Sequence, residues 1–219
     1  MCNDTNQQQD LQQTQQQQST NKCPCKLPAK PTFRQLWECE FKQMKSISYL
    51  AKISMLSALA VILLMLEFPI FPATPHLKMN FSDLPALLAS FMFGPFSGVI
   101  VNGAKIGIGL LIRGTSTAYV GDLSNLISGT VYAFVAGAVY LYNKNKKGAI
   151  VGLAISSVLF CGIMWICNQY FLLPMFKVPE QAVPVMLWWT LLFNVIKTVA
   201  TAIITFIVYK SIHRLFNRF

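Results

Sequence analysis

The sequence predicts an all-α membrane protein with six transmembrane helices and both termini in the cytoplasm. Hydrophobic residues make up 54% of the 219-residue chain and charged residues only 12%, whereas a soluble domain carries about 25% charge. Only four of the eight acidic residues follow residue 45, namely Glu67, Asp83, Asp122 and Glu180. Long apolar stretches with so few charges are typical of a chain that crosses a bilayer several times.

The N-terminal region differs from the rest of the chain. Residues 1–31 are rich in Gln and lack the apolar core and positive start of a signal peptide. This composition buries too little surface to offset ordering entropy, so we expect a disordered tail. Residues 32–46, TFRQLWECEFKQMKS, mix aromatic and charged side chains. They predict either a short interfacial helix or a lead-in to the first span.

Six apolar runs follow, and they define a predicted substrate-binding membrane domain over residues 47–216. The runs cover residues 47–68, 84–93, 96–112, 123–142, 149–173 and 183–209. Spanning a bilayer takes about 20 helical residues. The second run, which ends at Gly94-Pro95, is too short unless it is broken, tilted or shielded from lipid by protein.

The basic residues predict the orientation. With both termini inside, thirteen of the 18 Lys and Arg residues fall on the cytoplasmic side. Three, Lys78, Arg113 and Lys177, fall outside, and Lys105 and Lys197 lie within apolar runs. The reverse orientation would violate the positive-inside rule. A multi-pass protein of the cell membrane is therefore expected.

Several function classes are disfavoured by the sequence. The net charge of +10 comes from basic residues at the ends of apolar runs, not from a basic stripe interleaved with aromatics, so no nucleic-acid partner is expected. Cys23-Pro-Cys25 has no second pair or nearby His, so no metal site is predicted. No catalytic grouping or nucleotide-binding motif occurs, so energy for uphill transport must come from another protein.

Lys197 is the most informative single residue. It lies about 14 residues into the sixth run, roughly 20 Å along a helix, where a charge is costly. Asn194 is three residues earlier and therefore lies on the same helix face. The pair is either a clamp between helices or a ligand contact, and intramembrane ionisable groups favour the second reading. The sequence does not assign partners to Glu67 or Lys105, although Asp83 and Asp122 are candidates for Lys105.

Polar and aromatic residues near the outer ends of the last two runs suggest a pocket. Asn168 lies close to Trp165, and Phe193 lies on the outer half of the sixth run with Trp188 and Trp189. The aromatics predict either an interfacial belt or a ligand wall. Two amides, one ammonium and several rings suit a flat, mostly neutral aromatic ligand with a polar edge.

The first run carries small residues at helical spacing. Ser54 and Ala58 are four residues apart, and this spacing lets another helix approach closely. The alternatives are packing within the chain and docking of a partner.

Two stretches carry a resemblance to a known family. LEFPIFPATPHLKMNFSDLPALLASFMFGPFSGVIV, which begins at Leu66, and RGTSTAYVGDLSNLISG resemble the riboflavin-specific S component of energy-coupling factor (ECF) transporters. The resemblance covers about residues 45–215. It implies a six-helix vitamin-binding subunit that works with a transmembrane coupling subunit and two ATPase subunits. Riboflavin would be the transported ligand, with no cofactor.

The resemblance also implies roles for particular residues. Asn168, Asn194 and Lys197 match the family's polar contacts to the flavin. The loop over residues 71–83 would cap the vitamin, with Leu77, Met79 and Phe81 directed at its rings. Ser54 and Ala58 match the small-residue face that docks the coupling subunit.

Three rival functions stay open at this point. The chain could be an S component for another vitamin such as thiamin. It could be a non-transporting membrane scaffold whose first helix only docks a partner, which would leave Lys197 unexplained. It could be a membrane enzyme using Asp83 or Glu67 as an acid or base, but its ionisable groups are scattered with no evident nucleophile–base pair.

Overall fold

The computed structural model describes residues 38, 40–42, 44, 46–69, 78–114, 119–142, 146–175, 179 and 181–216, and six α-helices of eleven or more residues lie within these ranges. The helices are α1 (Ile47–Met65), α2 (Asp83–Phe93), α3 (Pro95–Arg113), α4 (Val120–Tyr142), α5 (Lys146–Cys167) and α6 (Val183–Phe216). The predicted tail, most of the predicted interfacial segment, and Leu77 with much of the predicted capping loop lie outside the described residues. The chain divides into two compact units, Met1–Leu50 and Ala51–Phe219, and the helices after residue 50 belong to the second.

The helix ends follow from local chemistry. Gly94 ends α2 with a φ of 119°, and its N–H donates to the Ser90 carbonyl oxygen. This left-handed backbone region strongly favours glycine. Pro95 then occupies the first position of α3, where its missing N–H costs no helical hydrogen bond. The Gly94-Pro95 break predicted from the sequence therefore separates two helices.

Five helices in the described part of the chain are long and apolar enough to cross a membrane, and α2 is a shorter apolar helix of 11 residues. Every residue of α2 from Asp83 to Phe91 is buried. The short second run is thus shielded by protein, which is one of the three arrangements that its length allowed. The fold is that of an all-α membrane protein, with one small exception.

That exception is a two-residue antiparallel ladder between β1 (Phe68–Pro69) and β2 (Lys78–Met79). Lys78 Nζ and Glu67 Oε1 form a salt bridge of 2.7 Å beside it. The ladder sets Phe68–Pro69 beside Lys78–Met79, and residues 80–82 connect β2 to α2. Glu67, which the sequence left without a partner, is therefore paired with Lys78.

The helices pack through small residues and one aromatic-rich core. α2 packs against α3, α4 and α6, and α4 and α6 both pack against α5. A Cβ added at Gly98 would lie 2.8 Å from the Ala86 carbonyl oxygen and 3.0 Å from Ala133 Cβ, so α2, α3 and α4 meet closely there. The largest buried hydrophobic residues between α2, α4 and α5 are Leu87, Phe91, Tyr132, Tyr140, Leu153 and Phe160.

Candidate functional site

A buried charged cluster joins three helices. Asp83 is the first residue of α2, Lys105 belongs to α3 and Lys197 to α6. Asp83 Oδ1 lies 2.6 Å from Lys105 Nζ, and Asp83 Oδ2 lies 3.0 Å from Lys197 Nζ. Each carboxylate oxygen thus binds a different ammonium group. Asp83 is therefore the ion-pair partner of both Lys105 and Lys197, to which the sequence analysis assigned no ion-pair partner.

Local structure holds Asp83 in place. Ser82 Oγ donates to Asn80 Oδ1 over 2.8 Å, and both side chains are buried. These residues form the turn that leads from β2 into α2. Because Asp83 occupies the first turn of α2, its carboxylate also lies at the positive end of the helix dipole, which favours a negative charge.

Both lysines of the cluster are buried, and Lys197 is the slightly less buried of the two. Lys105 has a relative exposure of 2% and Lys197 of 7%. Lys197 Nζ also lies 5.7 Å from the ring centroid of Phe160, within the range of a cation–π interaction. An ammonium group held by one carboxylate oxygen and one ring face has geometry suited to donating to a third acceptor, since it carries three N–H groups.

An apolar cluster lies next to the charged one along the chain. Met79 and Phe193 are buried together, with the partly buried Phe81 and Ala200 packed against them. Phe193 is four residues before Lys197, so the two share a face of α6. The structure therefore brings together three of the predicted ligand-contact residues, Met79, Phe81 and Phe193.

The two predicted amides are both buried but differ in setting. Asn194 has a relative exposure of 2% and lies one turn before Lys197. Asn168 begins a π-helical segment, Asn168–Leu172, that continues α5, and a short α-helical piece, Leu173–Met175, follows it. Asn168 Nδ2 donates to the Met164 carbonyl oxygen over 2.6 Å. π-Helical turns occur frequently at functional sites, and no residue pattern in this chain predicted one here.

The aromatic residues divide between surface and interior. Trp165 and Trp188 make an edge-to-face contact with ring centroids 6.0 Å apart. Trp188 has a relative exposure of 66% and Trp189 is also exposed, as expected for an interfacial belt. Phe193 is buried against Met79 instead. The exposed tryptophans thus match an interfacial belt, and a ligand contact at Phe193 stays a prediction.

Two small residues of α1, Ser54 and Ala58, lie on its exposed face. Ser54 and Ala58 are exposed together with Met55 and Ile62. The opposite face buries Ile53, Ser57, Ala60 and Leu64. The Ser54–Ala58 pair is therefore not used for packing within the described helices, and this leaves it accessible to a partner helix.

The groove between α5 and α6 is apolar. A cavity of about 600 Å³ between α5 and α6 is lined by residues such as Leu153, Val158, Val199 and Ile203. None of the predicted ligand-contact residues lines it. Several of its lining side chains are exposed on membrane-spanning helices, where lipid chains can fill the groove. It has no charged group to orient a polar ligand, so the charged cluster is the better candidate site.

No group of three or more His, Cys, Asp and Glu residues that could hold a metal ion occurs in the described part of the chain. Asp83 has its two oxygens on ammonium groups, and Glu67 Oε1 binds Lys78. In these contacts both carboxylates bind ammonium groups, which suits a site that recognises a ligand through charge and hydrogen bonds.

The sequence of this chain is similar to those of known membrane transport proteins. The profile of the family "ECF transporter, substrate-specific component" matches residues 48–209. The chain is 30% identical over 182 residues to "Riboflavin transporter RibU" of Staphylococcus aureus (strain TCH60), covering 80% of this chain and 95% of that protein. It is 35% identical over 132 residues to "Riboflavin transporter FmnP" of Bacillus subtilis (strain 168), covering 58% and 68%.

A solved structure also aligns with the fold. It is described as "Structure and mechanism of the S component of a bacterial ECF transporter". The alignment has a TM-score of 0.67 at 32% sequence identity, and it covers 77% of this chain and 97% of the other.

Proposed function

The chain belongs to the family of ECF transporter substrate-specific components, and on this premise we propose that it captures riboflavin at the outer face of the cell membrane for import. It is a transport subunit and not an enzyme. Riboflavin is its transported ligand and does not serve as a cofactor. The names of two relatives, both called riboflavin transporters, support this ligand.

One observation carries the proposal. Lys197 is a buried ammonium group that shares a helix face with Phe193, which is packed against Met79. A charged donor beside an apolar wall suits a flat heterocycle that has a hydrogen-bonding edge. Asn194, Asn168 and Trp165 complete the proposed ligand contacts, with Phe81 and Leu77 from the segment before α2.

The rest of the transporter follows as part of the same proposal. All six helices cross the membrane, α2 being shielded by its neighbours, and both termini are cytoplasmic. The exposed Ser54–Ala58 face of α1 docks a transmembrane coupling subunit, which carries two ATPase subunits. ATP hydrolysis occurs on those subunits because the chain has no nucleotide motif.

A fluorescence titration tests the ligand. The detergent-purified protein should quench riboflavin fluorescence saturably at nanomolar to low micromolar concentration, and excess thiamin should not compete. Lys197→Met should weaken binding about tenfold or more, because a hydrogen bond to a charged group contributes about 1.5–3 kcal/mol. Lys147→Met, which removes an exposed lysine at the start of α5, is the matched control and should bind like the parent.

The titration also separates the rivals. A folded protein that leaves riboflavin fluorescence unchanged would refute the proposed ligand, and a thiamin-competed signal would indicate another vitamin. ATPase activity of the chain on its own would contradict the assignment of ATP hydrolysis to partner subunits. The absence of binding to any vitamin would favour the scaffold.

A further inference from the structure

Asn125 is a half-buried amide residue in the second turn of α4, outside the charged cluster. Within the described residues, its carbonyl oxygen accepts a hydrogen bond from Ser128 Oγ over 3.4 Å, but its side-chain amide makes no hydrogen bond. Leu123 and Ile127, two positions away on either side, are exposed and lie on the opposite face of the helix. The amide has N–H donors and an acceptor oxygen, and these are available to water or to a ligand.

The side chain of Asn125 shares a helix face with Tyr132. The two residues are seven positions apart, which is about two turns. Tyr132 is buried, and its ring packs against that of Phe160 on α5 with centroids 5.4 Å apart. Its hydroxyl donates to the Thr198 carbonyl oxygen on α6 over 3.3 Å. This face of α4 therefore points between α5 and α6, into the bundle, and a half-exposed polar residue on it suits a cavity that opens to water.

The amide of α4 also lies at the height of the candidate site on the side of α5. The two helices are antiparallel, because Ala136 approaches Gly152 whereas Tyr132 meets Phe160. Two turns from Tyr132 towards the start of α4 therefore correspond to two turns beyond Phe160. That point is the end of α5, where the π-helical segment begins with Asn168, and α4 packs against this segment.

The amide of α4 has the same height relative to α6. These helices run parallel, since the Tyr132 hydroxyl meets Thr198 and the Tyr140 hydroxyl meets that of Tyr209 farther along. Two turns before Thr198 is one turn before Asn194. The two tyrosines thus bridge α4 to α6 in the inner part of the bundle. At the outer end a shorter amide takes their place and leaves its polar atoms for a ligand.

We propose that Asn125 is a further ligand-contact residue, and that α4 thereby supplies one wall of the vitamin site. The inference rests on the proposed function, in which Lys197 and Asn194 contact riboflavin. An ammonium group can only donate hydrogen bonds, whereas an amide can also accept one from an N–H or O–H group. Riboflavin has an imide N–H and a hydroxylated side chain. Asn125 therefore favours such a ligand over one that presents acceptors alone.

The test combines a riboflavin titration by fluorescence quenching with thermal unfolding of the same proteins. Asn125→Leu replaces the amide by an apolar side chain. It should weaken riboflavin binding about tenfold, because a hydrogen bond to the ligand is lost. Without riboflavin it should melt within roughly 2 °C of the parent, because the amide makes no hydrogen bond within the described residues. A purely structural amide would show the opposite pattern.

Asn102→Leu shows that opposite pattern and is the matched control. Asn102 is a buried amide on α3, and its Nδ2 donates to the Leu126 carbonyl oxygen over 3.0 Å and to Thr130 Oγ1 over 3.2 Å. The substitution breaks both hydrogen bonds and leaves a carbonyl group without its donor. Asn102→Leu should therefore melt roughly 5 °C lower than the parent without riboflavin.

Two results for Asn125→Leu would overturn the inference alone. One is parental affinity for riboflavin, which leaves riboflavin as the ligand and removes Asn125 from its contacts. The other is a melting temperature as low as that of Asn102→Leu, since weaker binding would then follow from a loosened fold. If the parent itself does not quench riboflavin fluorescence, the proposed function fails and the inference falls with it.

Discussion

Gly98→Ala should loosen the contact between the three helices α2, α3 and α4. Gly98 lies on α3 where that helix meets α2 and α4. A new Cβ there would lie 1.9 Å from Ser90 Oγ, 2.8 Å from the Ala86 carbonyl oxygen and 3.0 Å from Ala133 Cβ. The Ser90 side chain can rotate away, but the Ala86 carbonyl is backbone and can move only with α2.

The size of the effect follows from three contributions. Inserting a methyl group into a packed interior costs about 1–3 kcal/mol. Rotation of Ser90 breaks its 2.7 Å hydrogen bond to the Ala133 carbonyl oxygen, which contributes about 1 kcal/mol. Alanine regains about 1 kcal/mol over glycine within a helix. The net loss of stability is therefore about 1–3 kcal/mol, or a melting temperature lower by roughly 5 °C.

Gly103→Ala is the matched control. Gly103 lies on the same helix, and a Cβ added there meets no atom within 4 Å, so only the gain in helix propensity remains. Thermal unfolding of both variants in one detergent compares them directly. Ala86 lies one turn after Asp83, so Gly98→Ala should also weaken riboflavin binding more than Gly103→Ala does. Equal melting temperatures for the two variants would refute the close packing inferred here.

Two further predictions concern the ligand and the partner. Asn194→Leu should weaken riboflavin binding about tenfold in a fluorescence titration, since it removes a buried amide one turn from Lys197. Unchanged affinity would show that Asn194 does not contact the ligand. Ala58→Leu should leave riboflavin binding intact but reduce co-purification of the coupling subunit, because a bulky side chain blocks close helix approach. Met55→Leu, which conserves side-chain volume at an exposed position of the same helix, should leave co-purification unchanged, and equal effects of the two would contradict docking through Ala58.

The helices were predictable because apolar length and breaker residues determine them. The expected sixth run begins at residue 183, where α6 begins, and the expected fourth run ends at residue 142, where α4 ends. Gly94-Pro95 marked the junction of α2 and α3. The family resemblance is confirmed by the profile match over residues 48–209. The crossing of α2 and the orientation of the termini stay predictions, since length and composition alone do not settle them.

The site was only partly predictable. Single residues such as Lys197 stand out because a charge in an apolar run is costly. Its ion-pair partner did not stand out, because Asp83 is 114 positions earlier in the chain and only the packing of α2 against α6 brings them together. The π-helical turn at Asn168 depends on backbone hydrogen bonds that no residue pattern specifies. The ligand roles of Asn168, Asn194, Lys197 and Trp165 remain predictions.

The segment between β2 and α2 connects the apolar and charged parts of the site. Met79 ends β2 and packs against Phe193, and Asp83 begins α2 and binds Lys197. Phe193 and Lys197 are one turn apart on α6, so the segment is attached to that helix at two neighbouring points. A ligand that contacts Phe193 and Lys197 would change both contacts between this segment and α6. Ligand binding would therefore change how strongly the start of α2 is held against α6.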